Sequence, residues 1–242
     1  AMTYNGEKDA VGGVIMMLKG ANSAEVVNRI KAKIPSIQKS LPDDVVIEPF
    51  LDRTDLVKRA MGTVERNLLE GALIVIFVLV LFLGNLRAGL IVASAIPLSM
   101  LFALGLMNVF GVSANLMSLG AIDFGLIVDG AVIIVESTLH VMALRKEKVQ
   151  LSRTEMDEVV EESAEKMMNS AAFGQIIILI VYFPILTMTG IEGKMFVPMA
   201  QTISFAILGA LILSLTYIPV MSSLFLSRKV SQKPSFSDRM MD

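Results

Sequence analysis

Residues 116–136, LMSLGAIDFGLIVDGAVIIVE, constrain this chain more than any other stretch. The run is long and apolar enough to span a bilayer, yet it carries three carboxylates, Asp123, Asp129 and Glu136. An Asp near the bilayer centre costs roughly 2.5–3.5 kcal/mol on the insertion scale, while each Leu, Ile, Phe or Val returns only about 0.3–0.6. Two central Asp residues therefore roughly cancel the apolar residues around them. Such a helix is expected to turn its acids toward other helices or a wet path. Ionisable residues at that depth are functional candidates by default.

The rest of the composition agrees with a membrane protein. Of 242 residues 54% are apolar, and the mean hydropathy is +0.68. The absence of Cys excludes disulfides and thiolate metal sites. A single histidine, His140, excludes a multi-histidine zinc site. The opening AMTYNGEKDA lacks the basic start and apolar core of a secretory signal. With an odd number of spans, the chain reads as a fragment of a longer protein.

Residues 1–52 read as a small α/β unit. Asn5-Gly6 signals a tight turn between two short strands, the second expected at about Val11–Leu18. Asn22 with Glu25 makes a capping-box pattern. It opens a helix carrying Val26, Val27, Ile30, Ile34 and Ile37, which Pro35 is expected to kink or weaken. A third strand is expected at Val45–Phe50. Residues 53–69 form an amphipathic connecting helix with Val57, Met61, Val64 and Leu68 on one face.

The transmembrane region, 68–229, holds five apolar runs, at about 68–84, 88–110, 116–139, 171–188 and 199–226. Each can cover a hydrocarbon core of about 30 Å. Pro97, Pro184 and Pro219 are expected to kink their spans. Tight connections at 85–87 and 111–115 predict that the first three spans pack as neighbours. Residues 150–166 read as an acidic, solvated surface helix, and 230–242 as a disordered polar tail. Basic residues collect in the loops of one side (Arg87, Arg145, Lys146, Lys148, Arg153, Lys166, Arg228, Lys229, Lys233, Arg239), against Lys194 alone in the short loops of the other. The positive-inside rule makes the first side cytoplasmic and places residues 1–67 outside, in the periplasm of a double-membrane bacterium.

On one continuous helix, Asp123 and Asp129 differ by about 9 Å in height and about 120° in direction. Asp129 and Glu136, seven apart, share nearly one face about 10 Å apart. The set is a ladder of carboxylates rather than a cluster. A carboxyl withdrawn from water ionises reluctantly and can load and release protons near neutral pH. The alternative is that these acids only bridge helices. No Lys or Arg lies within any span, so a partner inside the chain has to be neutral. Gly120, Gly125 and Gly130 beside the acids are accounted for by close helix packing. Intramembrane aspartyl proteolysis needs two carboxyls sharing a proton, which two acids about 9 Å apart on one helix cannot do. The pairs Met16-Met17, Met167-Met168 and Met195/Met199 are soft donors, but core packing explains them as well. His140 reads as an interfacial residue.

GAIDFGLIVDGAVIIVE at 120–136 resembles the fourth transmembrane helix of resistance–nodulation–cell division (RND) efflux pumps, in the wording of their heavy-metal efflux branch. GIEGKMFVPMA at 190–200 resembles that branch's connection between helices five and six, and FLGNLRAGLIVASAIPLSM at 82–100 its junction between helices two and three. The likeness covers residues 1–229 in order. It implies a membrane all-α bundle, helices two to six of the RND fold, preceded by a fragment of an α/β periplasmic porter subdomain. It further implies a proton antiporter of the inner membrane rather than an enzyme, without cofactor or nucleic acid, exporting metal cations as a homotrimer. A periplasmic adaptor and an outer-membrane channel would be its partners. Asp129 falls on the family's proton-relay aspartate, with Asp123 and Glu136 on the further acids of the metal branch. Drug-exporting members carry a second acid where Gly130 stands here, so multidrug export is the weaker alternative. A proton-driven protein-translocation subunit and a non-transporting scaffold are the others. Substrate-binding residues and the identity of the ion lie outside this chain.

Overall fold

A computed structural model describes residues 2–4, 8–16, 18, 23–42, 44–49, 53–112, 116–120, 122–145 and 150–227. It contains two compact units, Ala1–Ala60 and Met61–Asp242. The boundary falls inside the segment expected as a connecting helix.

In the first unit, strands β1 (Met2–Tyr4) and β2 (Lys8–Ala10) pair antiparallel, Thr3 opposite Asp9. The second strand thus precedes the predicted one. The apolar run meant for it, Val11–Leu18, has no strand among its described residues, and Val11, Val14, Ile15 and Met16 are exposed. Asn5, Gly6, Met17, Asn22 and the tail 230–242 lie outside the described residues. Helix α1 (Ser23–Gln38) runs through Pro35 to its predicted length, with an Arg29–Glu25 pair of 2.5 Å on its surface. No strand forms among the described residues of 45–50 either. Gln38 organises that segment instead: its amide donates to the Val45 carbonyl, and its oxygen accepts from Ile47 N–H at 2.9 Å. Those side-chain bonds take backbone groups that a strand ladder would have used. Among the described residues the predicted α/β unit is therefore a short hairpin and one helix.

Among the described residues, five helices are long and apolar enough to cross a membrane. Helix α2 (Arg53–Leu83) is unbroken, as its sequence lacks Pro or a turn signal. Gly84 at φ 58° and Asn85 then turn the chain, and the Asn85 side chain accepts from the Arg87 and Ala88 amides to open α3 (Leu86–Phe110). Asn at this position satisfies amides that have no partner within the helix. Gly111 at φ 66° ends α3 in the left-handed conformation that residues with a Cβ avoid.

The third span departs from expectation. It is not one helix but two, α4 (Leu116–Gly120) and α5 (Phe124–Leu144), with Ile122 and Asp123 in neither. The fourth is longer than expected. The acidic segment and the apolar run 171–188 form a single helix, α6 (Arg153–Leu186), opened by a capping box between Ser152 and Glu155. Nothing between Lys166 and Ala171 breaks a helix, so the two segments fuse. The acidic segment is also no merely solvated helix. Met156, Val159, Val160 and Ser163 bury its inner face, while Arg145 reaches Glu162 (3.4 Å) and Glu158 (3.9 Å) on the outer one. The last span divides into α7 (Gly190–Leu215) and α8 (Tyr217–Phe225) at Thr216. Pro219, in the first turn of α8, lacks only an amide hydrogen that has no helical acceptor there.

Helices α3, α5 and α7 make the centre of the membrane unit, with Val92, Ile96, Ile127, Ile134, Val135, Ala206 and Ala210 in the core. Helices α2 and α6 are peripheral: 11% of each apolar window is buried, against 44% for α3. The first three spans do touch one another, α3 against α5 and α2 against each at a glycine, but the broad partner of α3 is α7. Helix α2 meets α3 closely at one place. A Cβ on Gly89 would stand 2.5 Å from Val80 Cγ2, 3.0 Å from the Val80 Cα and 3.1 Å from its nitrogen, so backbone as well as side chain is in the way. Gly89→Ala is therefore expected to lower stability by about 1–3 kcal/mol, read as a lower thermal midpoint of the detergent-purified intact protein. An unchanged midpoint contradicts the close approach.

Candidate functional site

The break before α5 decides the role of the first acid. Asp123 has extended backbone (φ −98°, ψ 116°) and is the N-cap of α5, its Oδ1 accepting from the Gly125 amide at 2.8 Å. A carboxylate suits this place twice over: it satisfies a helical amide and meets the positive end of the helix dipole. The expectation that Asp123 and Asp129 share one continuous helix is thereby corrected. Asp123 stands just outside the helix that carries Asp129, so an offset reckoned for ideal helical geometry does not apply.

Asp129 and Glu136 do share a helix. Both lie on α5, seven residues apart, and both are exposed on the surface of this helix group. That spacing brings them to nearly one face, about 10 Å apart along the axis. The ladder thus has two rungs on one helix, while the third acid belongs to the cap. His140, one turn beyond Glu136, is exposed as well. Among the described residues no three His, Cys, Asp or Glu side chains converge as a metal site.

Asp129 lines a cleft of about 220 Å³ between α5 and α6. Gly130, Val132 and Ile133 join it from α5, and Ser170, Ala171, Gly174, Gln175 and Ile178 from α6. Gly130 is the narrow point. A Cβ there would lie 2.9 Å from the Gln175 amide nitrogen and 3.0 Å from Ser214 Oγ on α7. The missing side chain is what lets α6 and α7 bring polar atoms against the α5 backbone beside Asp129. A generic packing role for Gly130 was legible in the sequence; the groups that fill its space were not.

Gln175 is the residue that sequence reasoning missed. It is 2% exposed, and neither its Nε2 nor its Oε1 has a hydrogen-bond partner among the described residues. The available signal was an amide inside an otherwise apolar run, 171–188. Four buried hydroxyls in the bundle are satisfied by their own helices: Thr138 donates to Ile134 O, Ser163 to Val159 O, Thr202 to Pro198 O and Ser214 to Leu211 O.

All 242 residues match the family described as AcrB/AcrD/AcrF. Over 235 residues the chain is 48% identical to the cobalt-zinc-cadmium resistance protein CzcA of Cupriavidus metallidurans, covering 96% of this chain and 22% of that protein. It is 45% identical over 234 residues to the nickel and cobalt resistance protein CnrA of the same organism, again covering 96% of this chain and 22% of that protein. To the cation efflux system protein CusA of Escherichia coli K12 it is 31% identical over 236 residues, with 96% and 22% covered. A crystal structure of a heavy metal efflux pump superposes with a TM-score of 0.73 at 40% identity, covering 84% of this chain and 20% of that one. The chain thus spans about a fifth of the length of these relatives.

The capping role of Asp123 has a direct readout. Asp123→Asn keeps the acceptor and is expected to leave amide hydrogen exchange at 124–127 unchanged in the intact protein. Asp123→Ala removes it at a cost of about 0.5–2 kcal/mol and speeds exchange there. Equal exchange in the two variants contradicts the cap.

Proposed function

The chain belongs to the AcrB/AcrD/AcrF family of RND secondary active transporters, in its heavy-metal efflux branch, and from that premise we propose that it is the proton-handling membrane portion of a cation exporter. The pump would exchange protons for heavy-metal cations across the bacterial inner membrane. The observation that carries the reading is the placement of Asp129 and Glu136 on one face of α5, in a bundle whose apolar spans contain no Lys or Arg. Within the spans of this chain no permanent cation holds such an acid ionised. The acid can take a proton from one side and release it to the other, with the membrane potential contributing about 2.3 kcal/mol per charge per 100 mV.

In this reading Asp129 is the central proton carrier. Glu136 extends the path toward the cytoplasmic end of α5, and Asp123 stands as a capped acid at the opposite end. The exposed faces of Asp129 and Glu136 would meet helices that a fragment of this length does not include. Residues 1–52 would belong to an α/β porter subdomain completed by chain from elsewhere in the protein; the exposed Val11–Met16 segment supplies an unfilled apolar edge for it. The working assembly would be a homotrimer joined by a periplasmic adaptor and an outer-membrane channel. The relatives' names point to divalent cations such as cobalt, nickel, zinc and cadmium as substrate. Multidrug export is disfavoured by Gly130, since a second acid there would have to displace Gln175 and Ser214.

Asp129→Asn in the intact transporter is expected to reduce metal tolerance to that of a deletion strain, on plates with cobalt, nickel, zinc, cadmium, copper or silver salts, while oligomer size by native mass spectrometry is unchanged. Wild-type tolerance in that variant refutes the carrier role and favours a scaffold.

A further inference from the structure

The buried amide of Gln175 calls for an explanation. Burying an unpaired amide is costly, and such groups in folded proteins are rarely left unmatched. Two buried hydroxyls, Ser99 Oγ and Ser222 Oγ, share the condition. Gln175 differs in three ways. It orphans both a donor and an acceptor, it lines the same cleft as Asp129, and its nitrogen crowds the residue next to Asp129 in sequence.

We infer that Gln175 is a positioning residue for Asp129, its amide holding the carboxyl, directly or through a cleft water, in both protonation states. The inference rests on the proposed role of Asp129 and deepens it. The chemistry of an amide suits the task. Its NH2 donates to a carboxylate, the stronger contact because it is charge-assisted, and its oxygen accepts from a protonated acid. The amide itself neither gains nor loses a proton; the proton Asp129 takes from water is the one it returns to water. The cleft of about 220 Å³ has room for several waters. Gly130 then has a specific purpose: any side chain there would push the amide away from α5.

No other titratable group competes for this place among the described residues. The cleft lining from α6 contains none, and the group approaching from α7 is the hydroxyl of Ser214. The nearest other acids in sequence are Asp123, engaged with Gly125 at the cap of α5, and Glu136, about two turns along that helix.

The test uses the intact transporter in proteoliposomes. Proton uptake is followed with a trapped pH dye and driven by cobalt, nickel, zinc and cadmium ions, each in turn. Gln175→Met keeps the length of the side chain and removes its hydrogen bonds. It is expected to shift the pH midpoint of transport by about half a unit or more. Gly130→Ala, which displaces the amide without deleting it, is expected to shift the midpoint in the same direction. The double variant should shift no further than the larger single, since both act on one contact. Ser99→Ala, which removes an equally buried orphan hydroxyl elsewhere, should leave the midpoint at the wild-type value. Unchanged midpoints in Gln175→Met and Gly130→Ala, with transport still abolished by Asp129→Asn, overturn this inference alone. Proton flux surviving in Asp129→Asn overturns the carrier role beneath it. Should Gln175→Met fail to assemble, Gly130→Ala decides by the same criterion.

Discussion

A carboxylate cannot be left facing acyl chains, and that constraint organises the membrane unit. Each acid of the 116–136 stretch meets it differently. Asp123 is placed where the helix stops, so that a helical amide replaces lost water. Asp129 sits at a cleft that a buried amide also lines. Glu136 lies two turns further on, toward the end of α5 that the basic loops make cytoplasmic. Three residues that look alike in sequence thus have three environments, and only one lines the cleft.

The approach of polar groups to Asp129 depends on what is absent as much as on what is present. Gly130 leaves space that Gln175 and Ser214 occupy, just as Gly89 leaves space for the backbone of Val80. In a bilayer, where apolar side chains gain little by leaving lipid, such close approaches are a main source of specific helix packing. Bundle packing and site construction therefore use one device. The hydroxyls of Thr138, Ser163, Thr202 and Ser214 are tied back to their own helices. The Gln175 amide, by contrast, has neither atom bonded among the described residues, and it lines the cleft.

Much of the fold was legible in the sequence. Length and hydropathy give the five spans, because twenty apolar residues in a row have few other uses. The motifs around Asp129 and Lys194 are a different matter, carried by resemblance rather than by physics. The GIEGKMF segment forms the first turns of α7, and the cleft beside Asp129 emerges only from the packing of α5 and α6. Other features stayed hidden for physical reasons. No Pro marks the break before Phe124, and its neighbours are apolar; the one clue is Asp123, which also reads as a mid-span acid. A change from charged to apolar composition looks like a boundary, yet a backbone needs a breaker to stop, so the acidic helix and the fourth span fuse. The strand expected at Val11–Leu18 rested on the Asn5-Gly6 turn signal, and neither it nor the one expected at Val45–Phe50 had an identified pairing partner. Strand formation depends on a pairing partner, and Gln38 binds the second segment instead. A single uncharged polar residue barely changes the hydropathy of its run, which conceals Gln175. Its significance comes from facing Gly130 across two helices that lie far apart in sequence.

The central claim is that Asp129 exchanges a proton during transport. Infrared difference spectroscopy on the intact transporter in lipid, comparing wild type with Asp129→Asn, tests it most directly. The expected result is a protonated-carboxyl band that comes and goes with pH and with addition of the transported cation, and that is missing from the variant. A carboxylate at position 129 that stays ionised across that range, with or without the cation, would contradict it.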